Sequence, residues 1–555
     1  MKISSGSDIL PYLEHIIFSH PIFEMKKENA IISVLSFVEA DFQDYEINIS
    51  TKGERAVNNR LRSAQDILKY SLFHIINKSN ASTPKNFPSI TFDYDLYNLY
   101  KMYQIIHDSL QGVRIDHNTC EINPKDKIIK FGVSSDAIIT KIREWKELKK
   151  LQENANKVLE NISPESASEI RKSLLPAFSK LYYDKKTQSL VYDKSENAVS
   201  KAYDLIVLNE PYLIYGPKLP SSLDLGPYKV QELYLFWRYL NAISLLHSLA
   251  YKFAIERELN CSNRASIIIF SKEELLEKII TNSGLSITVA MEIFKDLTYD
   301  PINVKWTEPQ YQPLIPLSDD KIAISPLLIG SNNYERNYAV LVEKLTWRKD
   351  VQIILKASHE DDMISRIIEK TDGLGLNYNP RIKLKEGGND ISDIDLVIWT
   401  DESEYILLLS LKWFYGPDSV QEFSNHAIRY REANHQQRRI IDFATDNPSQ
   451  VLQKCGIKNK SLDSIKFLPI IIYEKHMPAE QDREKDLPAA AINRFIKIQN
   501  QKVNNLFEVY RKIINEYNSY PSVGITVNES KIKFGEYTFI IPKMDVNSEG
   551  VHKFK

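Results

Sequence analysis

The chain has 555 residues, 43% of them hydrophobic and 26% charged, with a formal net charge of −2. This length allows two to four domains of ordinary globular composition, and the near-zero balance excludes binding to nucleic acid through overall charge, leaving only local basic patches. The three cysteines, Cys120, Cys261 and Cys455, are far apart with no paired spacing, so neither a disulfide framework nor a zinc site follows, and a reducing cytosol fits.

Met1–Leu10 lacks the apolar core of a signal peptide. No apolar run approaches the roughly 18 residues of a membrane span. A cytoplasmic protein without a membrane partner is therefore expected. Residues 1–265 read as mainly helical: ENAIISVLSFVEADF, LRSAQDILKYSLFHIINK and YNLYKMYQIIHDSLQ all carry helical periodicity. Short strands are expected at Ser89–Tyr94 and Ile128–Gly132. Lys141–Asn161 reads as a charged helix with a solvated basic start. Lys52, Arg55, Arg60, Arg62 and Lys69 form a basic run, read as a soluble surface. Val230–Leu259 carries Leu233, Phe236, Trp237, Leu240, Ile243, Leu246, Leu249 and Phe253 at core-helix spacing.

Ser271 followed by Glu274 is a capping-box signature. NSGLS then separates two helices, as in a helix-turn-helix. With strands near Pro313–Ile329 as a wing, residues 266–335 resemble a winged-helix module. Its second helix offers Ser286, Thr288, Glu292 and Lys295, too little positive charge for reading bases in a major groove. A structural role is expected of it.

Lys356–Lys370 reads as an amphipathic helix. Gly387–Trp413, GGNDISDIDLVIWTDESEYILLLSLKW, then reads as strand, turn, strand. Long apolar runs bounded by a polar turn suit strands buried on both faces. Asp395 lies near the end of the first run and Lys412 ends the second. A carboxylate and an ammonium there are costly unless they act on something. The segment resembles the PD-(D/E)XK nuclease superfamily, with its restriction-endonuclease-like fold. Asp395 matches the first acid and Lys412 the lysine, while Ser410 stands where the second acid normally is.

The resemblance implies a metal site for Mg²⁺ or Mn²⁺ built on Asp395 and the carbonyl of Leu411, with Lys412 orienting the attacking water. Phosphodiester hydrolysis needs a hard cation with oxygen ligands, and Ser410 is a weak ligand. Glu422, in the first turn of the helix that follows, or Glu360, on the helix before the strands, is expected to supply the missing acid. Glu369 is the other upstream candidate, and Glu432 lies too far along. Arg429, Arg431, Arg438 and Arg439 make the following helix basic, as a phosphate-contacting surface requires. His426 shares a face with Glu422, and Gln436 or Gln437 matches a glutamine that many superfamily members place on this helix. Gly416–Pro417 ends the strand, and Asp418 or Ser419 is a helix cap.

Phe467–Tyr473 is a further buried strand of the same mixed sheet. Ala489–Tyr517 reads as a late helix and Ile525–Ile541 as a strand pair. No GxxxxGK[ST], HExxH or GxSxG motif occurs. The expected fold is therefore α/β and multidomain: a mainly helical region at 1–265, a winged-helix-like module at 266–335, a restriction-endonuclease-like mixed sheet flanked by helices at 336–480, and a C-terminal helix and strand pair at 481–555. The expected function is metal-dependent DNA cleavage, with defence against foreign DNA as one setting. The alternatives are a degenerate nuclease fold that binds nucleic acid or a partner protein, and an assembly subunit whose N-terminal half does the work. Cutting both strands of a duplex calls for two sites, so a homodimer is an open expectation, although no heptad run specifies one.

Overall fold

The structure is a computed structural model. It describes residues 3–47, 54–78, 92–114, 118–134, 172–213, 219–220, 222–305, 307–386, 389–413, 420–458, 462, 464–474, 487–501, 505–518 and 524–547. The expected helix at Lys141–Asn161, Lys52, Gly416–Pro417 and the caps Asp418 and Ser419 lie outside these residues, as do residues 89–91 of the expected strand at Ser89–Tyr94. The rest of that segment is not a strand, because Tyr94 already opens a helix whose Leu96 N–H donates to Asp93 Oδ1 at 2.9 Å. The chain is a multidomain α/β protein with several mixed sheets among its helices.

Helices α1 (Ile9–Phe18), α2 (Lys27–Ile47), α3 (Glu54–Lys78) and α4 (Tyr94–Arg114) precede strands β1 (Asn118–Asn123) and β2 (Ile128–Val133). A small hairpin, β3 (Tyr182–Asp184) and β4 (Ser189–Val191), leads to α5 (Glu196–Leu213) and α6 (Val230–Glu256). The apolar stripe read in α6 is core: Leu233, Phe236, Trp237, Leu240 and Leu246 are all buried. The basic run on α3 is only partly solvent surface, because Arg60 pairs with Asp41 and Lys69 with Glu308.

The segment expected to be winged-helix-like runs as β5 (Ile268–Ser271), α7 (Lys272–Ser283), α8 (Ile287–Leu297), β6 (Ile315–Pro316) and β7 (Lys321–Ile324). Its antiparallel sheet has the order β5-β7-β6, and α6 packs against α7 and α8 as the preceding helix. Ser271 caps α7 by accepting the Glu274 N–H at 3.0 Å. Gly284 ends α7 at φ +70°, the left-handed position that favours glycine. The outer face of α8 exposes Ile287 and Met291, which agrees with its non-basic reading. Its inner Asp296 is fully buried and accepts from Arg348 Nε (2.8 Å), Trp347 Nε1 (2.9 Å) and Tyr228 Oη (2.6 Å). A buried charge is tolerated only when paired and hydrogen-bonded in this way.

Short helices α9 (Pro326–Gly330) and α10 (Tyr334–Val342) connect to α11 (Lys349–Lys370). Then come β8 (Asn377–Glu386), β9 (Asn389–Trp399), β10 (Tyr405–Lys412), α12 (Val420–Asp446), α13 (Pro448–Cys455), β11 (Lys466–Tyr473), β12 (Ala489–Ala491), α14 (Ile492–Gln501) and α15 (Leu506–Asn518). The sheet order is β12-β11-β10-β9-β8. The β8–β9 and β9–β10 pairs are antiparallel, whereas β10–β11 and β11–β12 are parallel. The parallel β10–β11 pair needs a long crossover, supplied by α12 and α13. Helices α11, α14 and α15 cover one face and α12 with α13 the other, so β10 is buried from Ile406 to Leu411 and reads as one apolar run.

Residues 481–555 do not form a unit of their own. The expected late helix is β12 followed by two helices, α14 and α15, which belong to the five-stranded unit. The strand pair, β13 (Gly524–Phe534) and β14 (Tyr537–Asn547), returns to the N-terminal region. There β14 pairs in parallel with β2, giving the sheet β1-β2-β14-β13. The Ile3 N–H donates to Tyr537 Oη at 2.9 Å, and Phe539 packs in the core of α1 to α4. Sequence separation hides a pairing between strands so far apart along the chain.

Candidate functional site

The β9–β10 ladder ends at the pair Leu409–Leu396. Beyond it the strands part, and the Asp395 side chain takes the place of the missing backbone bond. Its Oδ2 accepts the Leu411 N–H at 2.7 Å and the Ser410 hydroxyl at 3.5 Å. The Lys412 ammonium lies 3.9 Å from the same oxygen. Lys412 Nζ also donates to Gln436 Oε1 at 3.3 Å, and Gln436 Nε2 donates to Ser392 Oγ at 3.0 Å. Gln437, fully buried, donates to the Leu408 carbonyl at 2.6 Å and fastens α12 to β10. The sequence therefore brings Asp395, Lys412 and Gln436 to one spot.

Glu360 approaches from α11. Burial first, and then the Asp395 carboxylate, hold Glu360 above the usual carboxylate range, while Lys356 and Lys412 oppose that shift. Two acids within each other's field form a place where a cation lowers the energy of both. The Leu411 carbonyl points to the same strand edge as the amide that Asp395 holds, as both bonds of one residue do in an extended strand. Asp395, Glu360 and that carbonyl are hard oxygen donors. They suit a Mg²⁺ that keeps waters and uses one or two carboxylates. Among the described residues, no group of three or more His, Cys, Asp or Glu side chains is gathered to hold a metal, so the fit rests on two carboxylates and a carbonyl.

Glu422 is not at this spot, which corrects the expectation that it replaces the second acid. It is buried, accepting hydrogen bonds from Tyr311 Oη and an Arg336 guanidinium nitrogen. On α12 it lies roughly four turns, or about 21 Å, from Gln436. The first turn of this helix begins far from the strand end. Arg429 likewise has a protein partner, Glu343 at 2.6 Å. Arg431 and Arg439 are exposed and Arg438 is half-buried. Glu369 and Glu432 are exposed, and His426 is buried.

Two features escaped sequence reasoning. His359, buried beside Glu360, stacks on Trp413 with ring centroids 3.8 Å apart and planes 9° apart. Arg381, in the middle of β8, has φ +57°. The positive φ has no sequence signal, since glycine and asparagine are the usual markers. The stack joins α11 to the end of β10, and only the fold brings them together.

Compared with known proteins, the chain matches no family model, no curated protein and no solved structure. Among the described residues, no helix is long and apolar enough to cross a membrane.

Proposed function

We propose that the chain is a metal-dependent nuclease of the PD-(D/E)XK type that hydrolyses phosphodiester bonds of DNA. The observation that carries this reading is the parting of β9 and β10 around Asp395, with Lys412 and the Leu411 backbone gathered there and Glu360 within electrostatic reach. The order helix, three antiparallel strands, crossover helix, parallel strand supports it as well. A bound divalent cation would neutralise phosphate charge and acidify a water. Asp395 and Glu360, with the Leu411 carbonyl, would hold that cation. Lys412, steadied by Gln436, would orient the water and stabilise the charge that develops on the phosphate. A cytoplasmic setting and a role against foreign DNA belong to the same proposal, and the three free cysteines agree with a reducing compartment.

One observation favours a second reading, a degenerate nuclease fold that binds nucleic acid or a partner protein. Ser410 occupies the second acid position, and Glu422 is committed elsewhere. Cleavage of supercoiled plasmid with Mg²⁺ or Mn²⁺ separates the two. Nicking by the wild type, lost in Asp395→Ala and Lys412→Ala, supports the nuclease. A wild type inert with both metals, yet retarding the plasmid on a gel, supports the degenerate fold.

A further inference from the structure

Arg381 holds the left-handed conformation, φ +57°, within a β-strand. The β8–β9 register runs from Pro380–Leu396 to Ile382–Ile394, so Arg381 stands across from Asp395. The ribbon turns over at this point. Leu396 and Ile398 face the core under α11, whereas Ile382, Leu384 and Ile394 face the core under α12 and α13. A residue is needed here with φ above zero, and glycine meets that need without steric cost. An arginine at such a position keeps backbone strain that its side chain has to justify.

Its guanidinium is held from one side only. Nε and Nη2 donate to Asp361 Oδ1 at 3.1 and 2.5 Å, and Nη2 reaches the Ala357 carbonyl at 3.4 Å. Those bonds fix the plane of the fork on α11, next to Glu360. The Nη1 amine has no hydrogen-bond acceptor among the described residues, and the side chain is 48% exposed. The Glu360 and Asp395 carboxylates both act on it electrostatically. Arg381 is thus a fixed, half-exposed cation at the mouth of the site, with donors to spare. Planar guanidinium forks match phosphate geometry, and a preoriented fork loses little freedom on binding.

We propose that Arg381 is a substrate-contacting residue, donating from Nη1 to a phosphodiester oxygen of the nucleic-acid strand that passes Asp395. This rests on the nuclease reading and adds a phosphate contact from β8. Asp361 is the positioning residue that holds the fork.

The test compares Arg381→Gly and Arg381→Lys with wild type, using thermal melting and binding to a short DNA duplex in Ca²⁺. Arg381→Gly is expected to melt no lower than wild type, because the strain is relieved, while binding the duplex about tenfold more weakly. The slope of log affinity against log salt is expected to fall by about one. Arg381→Lys keeps the charge but not the fork, and is expected to recover only part of the affinity. A lower melting temperature for Arg381→Gly with unchanged duplex affinity would overturn the proposal, since the residue would then be structural. A wild type that binds no duplex overturns the nuclease reading and this contact together. Wild type and Arg381→Gly binding equally well overturns this contact alone.

Discussion

The imidazole of His359 lies flat on the indole of Trp413, joining α11 to the end of β10 one residue from both Glu360 and Lys412. Burial holds this histidine down to about 4, so the ring is neutral and stacks as an aromatic at neutral pH. Beyond Leu409 the β9 ladder no longer steadies β10, and the stack does part of that work.

Replacing the ring tests the strut. His359→Phe keeps the stack, and its cleavage activity is expected to stay within a few-fold of wild type. His359→Ala is expected to lose roughly 1–3 kcal/mol of stability through the vacated space and to lower kcat. If His359 instead transfers a proton, both variants lose activity alike. The pH dependence has a definite sign. The unfolded chain binds a proton at this position near 6.5, the folded one near 4, so wild-type stability falls as pH drops through that window. His359→Phe removes this dependence and should exceed wild type in relative stability at pH 4 by on the order of 2 kcal/mol, read from urea melts at several pH values.

Glu360 gives two effects of opposite sign. Its carboxyl is held above the usual range by burial and by Asp395, so the metal-free fold loses stability as pH rises through that raised value. Glu360→Gln is therefore expected to stabilise the metal-free protein at neutral pH. The same change removes a ligand. Outer partners alone are worth about 10- to 100-fold in metal affinity, so Mn²⁺ titration should show at least that loss. Unchanged Mn²⁺ affinity would remove Glu360 from the metal site.

A second acid far from the site predicts a similar stability sign. Asp66 on α3 accepts from Gln104 at 2.5 Å. Burial first, and then the Asp108 carboxylate, push it up to about 7, with Lys69 and Arg62 opposing and Glu308 adding to the rise. The folded chain thus holds a proton that the unfolded chain releases near 3.8, and stability falls as pH climbs between the two. Asp66→Asn is expected to be more stable than wild type at pH 8, by on the order of 2–4 kcal/mol, and equal to it below pH ~4. Thermal melts at the two extremes check this, and a constant difference across pH would contradict it.

The return of the C-terminal hairpin predicts a long-range effect at the other end of the chain. Tyr537→Phe leaves the buried Ile3 N–H without its acceptor, which costs about 1–3 kcal/mol. The loss should appear in hydrogen exchange across α1 and β2, while β10 and β11 stay protected. Exchange confined to β13 and β14 would mean that the hairpin does not support the N-terminal sheet.

The elements that carry strong local signals were readable from the chain. β9, β10 and β11 announced themselves as apolar runs because helices cover both faces of that sheet. The Ser271 cap and Gly284 stop of α7 are local hydrogen-bond and backbone requirements, so they were visible too. Asp395, Lys412 and Gln436 were legible as chemistry because an acid and a lysine at the ends of buried strands need a reason. Glu422 was misread. A first-turn acid looks close to the preceding strand along the chain, but α12 starts far from the strand end and reaches Lys412 only at Gln436.

Residue pattern alone determined the long helices and the buried strands β9, β10 and β11, because periodicity and capping act over a few residues, but it missed β8 and the division of the late helix into β12, α14 and α15. It also determined that one strand pair carries a carboxylate and an ammonium at its mouth. Only the tertiary structure decided which far-off groups complete that mouth: Glu360 and His359 from α11, and Arg381 from a strained turn of β8. It also decided that β14 closes a sheet begun by β1 and β2. Those outcomes depend on packing and electrostatics between segments distant in sequence. Burial, and the partners it imposes, exists only once the chain has folded.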